Sequence, residues 1–172
     1  MQRNLWQMKK VAVLGVLAAG LTAYGGLRTN DYSWVIPSNS AVRVESGATL
    51  YLNNFNATLA SFAGPGALTG GNVTVTNAVR ASCADLFAGK HATFEKNLTF
   101  APGATFTITD PENLEAYAHG ASVAAFTAQT VSGTPTLAFE GTPAGTAKWM
   151  LFKKNANTYN FGAVIGTAIL LK

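Results

Sequence analysis

The sequence predicts an all-β fold, a stack of short strands of the parallel β-helix type, and three observations favour it. Short segments of alternating apolar and polar residues are separated by turn residues about every eight to twelve positions. Charged residues make up only 12% of the chain, whereas a typical soluble domain carries about a quarter. A seven-residue pattern occurs twice, which favours stacked repeats over a sandwich or a barrel.

The predicted strands are bounded by turn residues. Pro37 stops the first, and Ser46-Gly47, Asn53-Asn54 and Gly64-Pro65-Gly66 follow later ones. Residues 72–76 (NVTVT) show the alternation most clearly, with Val73 and Val75 on one face. The predicted strands lie at residues 33–36, 42–44, 49–52, 58–62, 72–76, 97–100, 104–109, 122–128, 136–139, 148–152 and 168–171.

The repeated pattern has the form x-Gly-Ala-Thr-apolar-x-apolar, at residues 46–52 and again at 102–108. Positions that alternation places inside are small or medium in size, which suits layers that bury their apolar faces only against neighbouring layers. Roughly 140 residues at about twenty per turn would form about six such layers.

One segment, residues 110–120, has the punctuation of a helix instead. Asp110 can cap it, Pro111 fits the first helical position, Glu112 complements the helix dipole and Gly120 can end it. We expect a short helical insert that leaves the stack.

Residues 1–25 are predicted to be a signal peptide and residues 26–172 a single β domain. Lys9 and Lys10 precede the apolar run 11–19, and small residues then offer a cleavage site after Ala23 or Gly25. The run is too short and too rich in glycine for a transmembrane span. Removing three of the twelve basic residues leaves nine against eight acidic ones, a charge of +1 without a basic stripe. Nucleic-acid binding is therefore not expected, and the membrane is expected as a partner only during export.

Residues 50–75 resemble the autotransporter-associated β-strand repeat, in which a strand of the form LxLNG is followed by SLSGxGxV and GxLxV. Asn54 replaces the usual glycine, and Phe62-Ala63-Gly64 stands for Leu-Ser-Gly. Residues 97–108 are similar to the LTLxxGATLxI element, and residues 148–152 and 166–171 resemble the last strands of passenger-like proteins.

This resemblance implies a right-handed parallel β-helix in a secreted bacterial passenger, and it transfers no catalytic residue. The expected location is secreted or at the cell surface, in the outer membrane or periplasm of a Gram-negative-type bacterium. The chain leaves no room for the family's C-terminal membrane barrel. We therefore expect that it reaches the surface by another route, is a fragment, or stays in the periplasm.

Two functions compete. The first is a structural or adhesive surface module, not an enzyme, that binds a glycan or a host surface protein and uses no cofactor. The second is a carbohydrate-active β-helix enzyme or polysaccharide-binding module. The residues suited to exposed contact with sugar rings are Trp34, Tyr51 and Tyr159. The second function would be favoured if three or more charged residues converged in one groove, the set being Glu45, Asp85, Glu95, Arg43, Arg80 and Lys96.

Other sites receive little support from the sequence. The acids Asp110, Glu112 and Glu115 are expected to serve the helical insert. Glu115 and His119 would share a helix face, but a structural zinc site needs four ligands. Cys83, the only cysteine, is expected to be a buried apolar residue.

The sequons at residues 56–58, 72–74 and 97–99 are interpreted as turn asparagines beside strand threonines. Most phenylalanines are expected to stack in the core: Phe55, Phe62, Phe94, Phe100, Phe106, Phe126 and Phe139.

The ends of the stack are predicted to drive end-to-end self-association, because an unpaired strand edge can template another chain. The apolar segment 168–171 is followed only by Lys172. Either the helical insert covers an end, or the chain associates with a copy or a larger partner, or the last strand is simply paired within the final layer.

Overall fold

The computed structural model describes residues 21–23, 26–29, 36–117 and 122–164. Its strands, in chain order, are β1 (Leu21–Ala23), β2 (Gly26–Thr29), β3 (Ser40–Val44), β4 (Ala48–Tyr51), β5 (Ala57–Ala63), β6 (Ala67–Thr69), β7 (Val73–Ala81), β8 (Ala92–Phe94), β9 (Leu98–Phe100), β10 (Thr105–Ile108), β11 (Ser122–Ala128), β12 (Val131–Ser132), β13 (Thr136–Phe139), β14 (Lys148–Lys153) and β15 (Thr158–Val164). The helices are α1 (Cys83–Phe87) and the 3₁₀ helix Pro111–Tyr117.

The described part of the chain is mostly β-strand with few helices, as the sequence predicts. Each predicted strand from residue 42 to residue 152 overlaps an observed one. The predicted strand at 168–171 and residues 33–35 of the first predicted strand lie outside the described residues, as does most of the predicted leader. Strand β1 falls within the range 1–25 that was predicted to be leader.

The described strands belong to two sheets, and from β1 to β9 the chain alternates between them. The first sheet has the order β1-β3-β5-β7-β10-β13, with β9 beside β7 and β12 beside β9. The second sheet has the order β14-β15-β11-β8-β6-β4-β2. Pairing is parallel throughout the first sheet and from β2 to β11 in the second. Among the described strands, the pairs β11–β15 and β15–β14 are the antiparallel ones.

The parallel register stacks apolar side chains in columns. Val42 lies beside Phe62, Phe62 beside Val79, and Val79 beside Phe106. All four are at most 2% exposed. A second column on the other sheet runs through Leu50, Leu68, Phe94 and Ala128, and it is buried as well. Burying each large apolar side chain contributes roughly 1.5–3 kcal/mol, so the columns form the core.

The two copies of the seven-residue pattern lie in different sheets, one leading into β4 and the other into β10. They therefore do not stack on each other. Gly47 and Gly103 have φ of 74° and 83°, which glycine adopts without the steric penalty of a Cβ. Ala48 and Ala104 follow, at 2% and 1% exposure. The repeated pattern therefore marks a turn that leads into a strand, in which the glycine forms the turn and a buried alanine follows it.

Two helical segments leave the sheets where the chain passes from the first sheet to the second. Helix α1 follows β7 and begins at Ser82, whose Oγ accepts a hydrogen bond from the Asp85 backbone N–H at 3.1 Å. The 3₁₀ helix follows β10 and lies within the predicted insert. Asp110 connects them, because its Oδ1 accepts from the Cys83 N–H at 2.6 Å.

Aromatic side chains join the closing strands to the rest of the core. Trp149 of β14 stacks on Phe161 of β15 with centroids 5.0 Å apart, and Tyr159 stacks on Phe126 at the same distance. Most of the phenylalanines predicted to be core are buried. Phe55 is not, since it is 37% exposed, and Phe139 is only half-buried.

Candidate functional site

The three residues expected to contact sugar rings occupy different environments. Tyr159 is only 7% exposed and stacks on Phe126, so its ring is a core side chain and not an exposed platform. Tyr51 is half-buried on β4, and its ring lies so close to Gly70 that a Cβ there would overlap it. Trp34 lies outside the described residues. The structure therefore leaves Tyr51 as the one described residue of the three with an accessible ring.

A groove on the outer face of the first sheet brings charged residues together. It has a cavity volume of about 430 Å³. Its lining consists of Ala41, Val42, Arg43, Ser61, Ala63, Gly64, Arg80, Ala81, Ser82, Asp85, Thr109 and Glu140. Three of these, Arg43, Arg80 and Asp85, belong to the charged set whose convergence would favour the carbohydrate-active function. Glu45, Glu95 and Lys96 of that set do not line the groove.

Strand register explains why the two arginines meet. Arg43 of β3 lies beside Ala63 of β5, and Ala63 lies beside Arg80 of β7. Neighbouring strands are about 4.8 Å apart, so the two Cα atoms are about 10 Å apart across a strand. The small Ala63 side chain lies between the two arginines in the register, and all three residues line the groove.

Both arginines have a carboxylate partner. Arg80 forms an ion pair with Glu140, which follows β13, and Arg43 forms one with Glu45 at the end of its own strand. The paired side chains are 40% and 38% exposed in the first pair and 51% and 27% in the second. Ion pairs at such exposed positions contribute about 0–1 kcal/mol to stability. The groove charges therefore contribute little to the fold and remain accessible to a ligand.

The remaining acid of the groove is held by the start of α1. Ser82 Oγ lies 3.0 Å from Asp85 Oδ2 and accepts from the Asp85 backbone N–H. A serine followed three residues later by an acid is a helix N-terminus signature. The sequence contained this signal at residues 82–85, although the predicted elements did not include α1. The helix thus holds a carboxylate beside Arg80 at the rim of the groove.

Cys83 is a structural residue. It is fully buried, and its thiol donates to the Asp110 carbonyl oxygen at 3.2 Å. Burial, followed by the nearby charge of Asp110, raises the pKa of the thiol to about 12. A thiolate is the nucleophilic form of cysteine, so the thiol stays unreactive near neutral pH. The expectation that Cys83 is a buried residue is confirmed.

The three sequon asparagines form a column at one corner of the stack. Asn56 Oδ1 accepts from Asn72 Nδ2 at 3.0 Å, and Asn72 Oδ1 accepts from the Asn97 backbone N–H at 3.3 Å. Their threonines, Thr58, Thr74 and Thr99, lie side by side on β5, β7 and β9. This placement agrees with turn asparagines beside strand threonines.

A second concavity, of about 400 Å³, lies on the 3₁₀ helix and is lined by Ala84, Glu112, Asn113, Glu115, Ala116 and Tyr117. The Asp110 carboxylate accepts from the Cys83 backbone N–H at the start of α1, so its partner there lies outside the insert, and its role as a cap of the insert stays a prediction. His119 lies outside the described residues. Within the described ranges, no three His, Cys, Asp or Glu side chains are grouped as metal ligands would be.

The described helices are all too short or too polar to cross a membrane. The chain matches no protein-family model, no curated protein and no solved structure. The groove and the parallel strands are therefore the observed features that bear on the function.

Proposed function

We propose that the protein is an exported structural or adhesive module built on a right-handed parallel β-helix. From β1 to β9 successive strands alternate between two sheets, and from β3 each pairs in parallel with the preceding strand of its sheet. This is the path of a chain that winds as a coil. Parallel crossovers are right-handed in almost all proteins, which supports the handedness.

Export is supported by the basic residues, short apolar run and small residues of the first 25 positions. Secretion to the surface or the periplasm also agrees with the resemblance to the autotransporter-associated repeat. Such a stack offers long, regular outer faces, which suit binding to extended partners.

The adhesive contact in this proposal is the groove of the first sheet, and its charged rim is the observation that carries the proposal. Arg43 and Arg80 stand on either side of a floor of small residues, with Asp85 and Glu140 beside them. Guanidinium groups and carboxylates together supply donors and acceptors for hydroxyl-rich ligands. We therefore propose a glycan as the partner, with a host surface protein as the other outcome.

A binding array tests this proposal. The mature protein is applied to immobilised glycans and matrix proteins, and each hit is then titrated. The double variant Arg43→Gln, Arg80→Gln should weaken the hit at least roughly tenfold, since two charge-assisted hydrogen bonds of about 1.5–3 kcal/mol each are lost. Lys90→Gln, an exposed change outside the groove, is the matched control. Equal affinity for the double variant and the control would rule out the groove.

A carbohydrate-active enzyme is the second candidate. The condition that favours it is met, since Arg43, Arg80 and Asp85 of the charged set line one groove, and Glu140 adds a second carboxyl group there. Glycosidases use two carboxyl groups that flank the scissile bond. Any glycan that binds should be incubated with the protein and assayed for new reducing ends or unsaturated products. Turnover that disappears in both Asp85→Asn and Glu140→Gln would establish the enzyme. Binding without turnover would leave the adhesive module.

A further inference from the structure

We infer that the signal peptide ends at Gly20, so that the mature chain begins with strand β1 at Leu21. The inference rests on the proposed export, and it differs from cleavage after Ala23 or Gly25, the two sites that the small residues first offer. The pairing of the first two described strands, β1 and β2, is the observation from which we assign this processing site.

Strand β1 belongs to the first sheet. Leu21 lies beside Val42, Thr22 beside Arg43 and Ala23 beside Val44, all in parallel register. Strand β2 pairs in the same way with β4 over four residues. Both sheets thus begin with a strand from residues 21–29, and only two positions separate those strands.

Cleavage after Ala23 would divide this arrangement. It would remove all of β1, whereas β2 would stay on the second sheet. The first sheet would lose its first strand while the second sheet kept its own, and the buried Val42 and Val44, which are 2% and 0% exposed, would lose the residues beside them in the register, Leu21 and Ala23. Apolar side chains are stabilised by such neighbours, which favours keeping β1. Cleavage after Gly25 would have the same consequence.

The sequence offers a site that keeps both strands. Ala18-Ala19-Gly20 has small residues at its first and third positions, as the enzyme that removes signal peptides requires. The apolar run 11–17 that precedes it has seven residues, which is within the range of about 7–15 for such runs. Cleavage after Gly20 therefore satisfies the processing rule and leaves β1 as the first strand of the first sheet.

The net charge of the mature protein does not distinguish the three cleavage sites, because no charged residue lies between Leu21 and Leu27. The first residue of the mature protein does distinguish them. The full chain is expressed in a Gram-negative host, and the protein recovered outside the cytoplasm is analysed by N-terminal sequencing and intact mass. The expected sequence begins Leu-Thr-Ala-Tyr, from Leu21 onwards.

Two other results separate the failure of this inference from the failure of export. A mature protein that begins at Tyr24 or Gly26 would overturn the inference and leave export standing. An intact Met1 in the cytoplasmic fraction would overturn both. Gly20→Phe should accumulate as uncleaved precursor, because a bulky residue replaces the small one before the bond. Ala23→Phe is the matched control and should be processed normally, and the reverse result from the pair would contradict cleavage at Gly20.

Discussion

The parallel part of the stack, residues 40–108, and its closing part, residues 122–164, bury their cores in different ways. In the parallel part, each buried side chain rests on an equivalent residue of the next strand, as Phe62 rests between Val42 and Val79. In the closing part the chain reverses direction, and β15 and β14 pair antiparallel beyond β11. Aromatic rings stack on one another there, Trp149 on Phe161 and Tyr159 on Phe126, whereas Phe62 of the parallel part lies between two valines in the register.

This difference is related to the number of neighbouring strands that each strand has. A strand in the middle of a sheet has a neighbouring strand on both sides. In the second sheet β14 is an edge strand with a neighbour on one side only, and the stacking of its Trp149 on Phe161 of β15 adds contact area at that edge. Damage to the parallel part should therefore spread through the molecule, whereas damage to the closing part should stay local.

The largest effect should come from Phe62→Ala in the parallel part. Phe62 is fully buried and packs against the Phe94 ring with centroids 5.0 Å apart. The free energy of unfolding should fall by about 3–5 kcal/mol, as measured by denaturant titration. Amide exchange should accelerate in both sheets, from β3 to β10.

Phe161→Ala is the matched change in the closing part, where the ring is equally buried. Amide exchange should accelerate mainly at β14 and β15, while β3 to β7 keep their protection. If both variants accelerate exchange over the same residues, the two parts do not differ in the way described.

An intermediate effect is expected at a turn of the parallel part. Gly64 has φ of 88°, and a Cβ there would overlap the Val44 carbonyl oxygen. Gly47 has φ of 74° but open space around it. Both alanine variants should lose about 1–2 kcal/mol for the left-handed backbone, and Gly64→Ala should lose more because the backbone of the next layer must shift. Thermal unfolding of the two variants makes the comparison, and equal losses would contradict close stacking at Gly64.

A smaller effect is expected from Ser82→Ala, which removes the cap of α1. The loss should be about 1 kcal/mol, as for other serine caps. Because Ser82 also contacts the Asp85 carboxylate, groove binding should weaken in the same variant. Ser82→Asn is the control, since asparagine caps a helix as well as serine does, and it should keep most of the stability.

The smallest effect concerns the pH dependence of stability. The ordinary pKa of 9.0 for the Cys83 thiol is raised to about 12 in the folded protein, mainly by burial. Between these values the unfolded thiol is ionised and the folded one is protonated. The folded state then binds more protons, so stability falls as pH rises through this range. Denaturant titrations from pH 8 upwards should show a steeper fall for the wild type than for Cys83→Ala, and parallel curves would contradict the shift.

Nine of the described strands were predicted because their signal is local, whereas β1, β2, β6, β8, β12 and β15 were not among the predicted segments. Alternation at residues 72–76 and the turn at Gly64-Pro65-Gly66 depend only on neighbours in the chain. Helix α1 was missed because five residues carry little periodicity, and its signal was the serine and aspartate of its first turn. Strand β15 was not predicted at all, and its antiparallel pairing could not have been, because strand direction leaves no mark on alternation.

The candidate groove was beyond sequence reasoning for a different reason. Arg43 and Arg80 come together only through the register of β3, β5 and β7, and a slip of one residue would send either side chain to the opposite face. Tyr159 illustrates the same limit. Nothing local distinguishes it from an exposed tyrosine, and the antiparallel pairing of β15 with β11 places its ring on Phe126.

The central claim is that equivalent residues of successive strands lie in one column, and a distance between two spin labels tests it most directly. In the second sheet the column runs from Thr49 through Ala67, Thr93 and Thr127 to Thr158. Four strand spacings of about 4.8 Å place the end residues about 19 Å apart. Nitroxides at Thr49→Cys and Thr158→Cys, in a Cys83→Ala background, should give one distance distribution centred near this value by double electron–electron resonance. A distribution centred above about 30 Å, well beyond four strand spacings, would contradict the stacked arrangement.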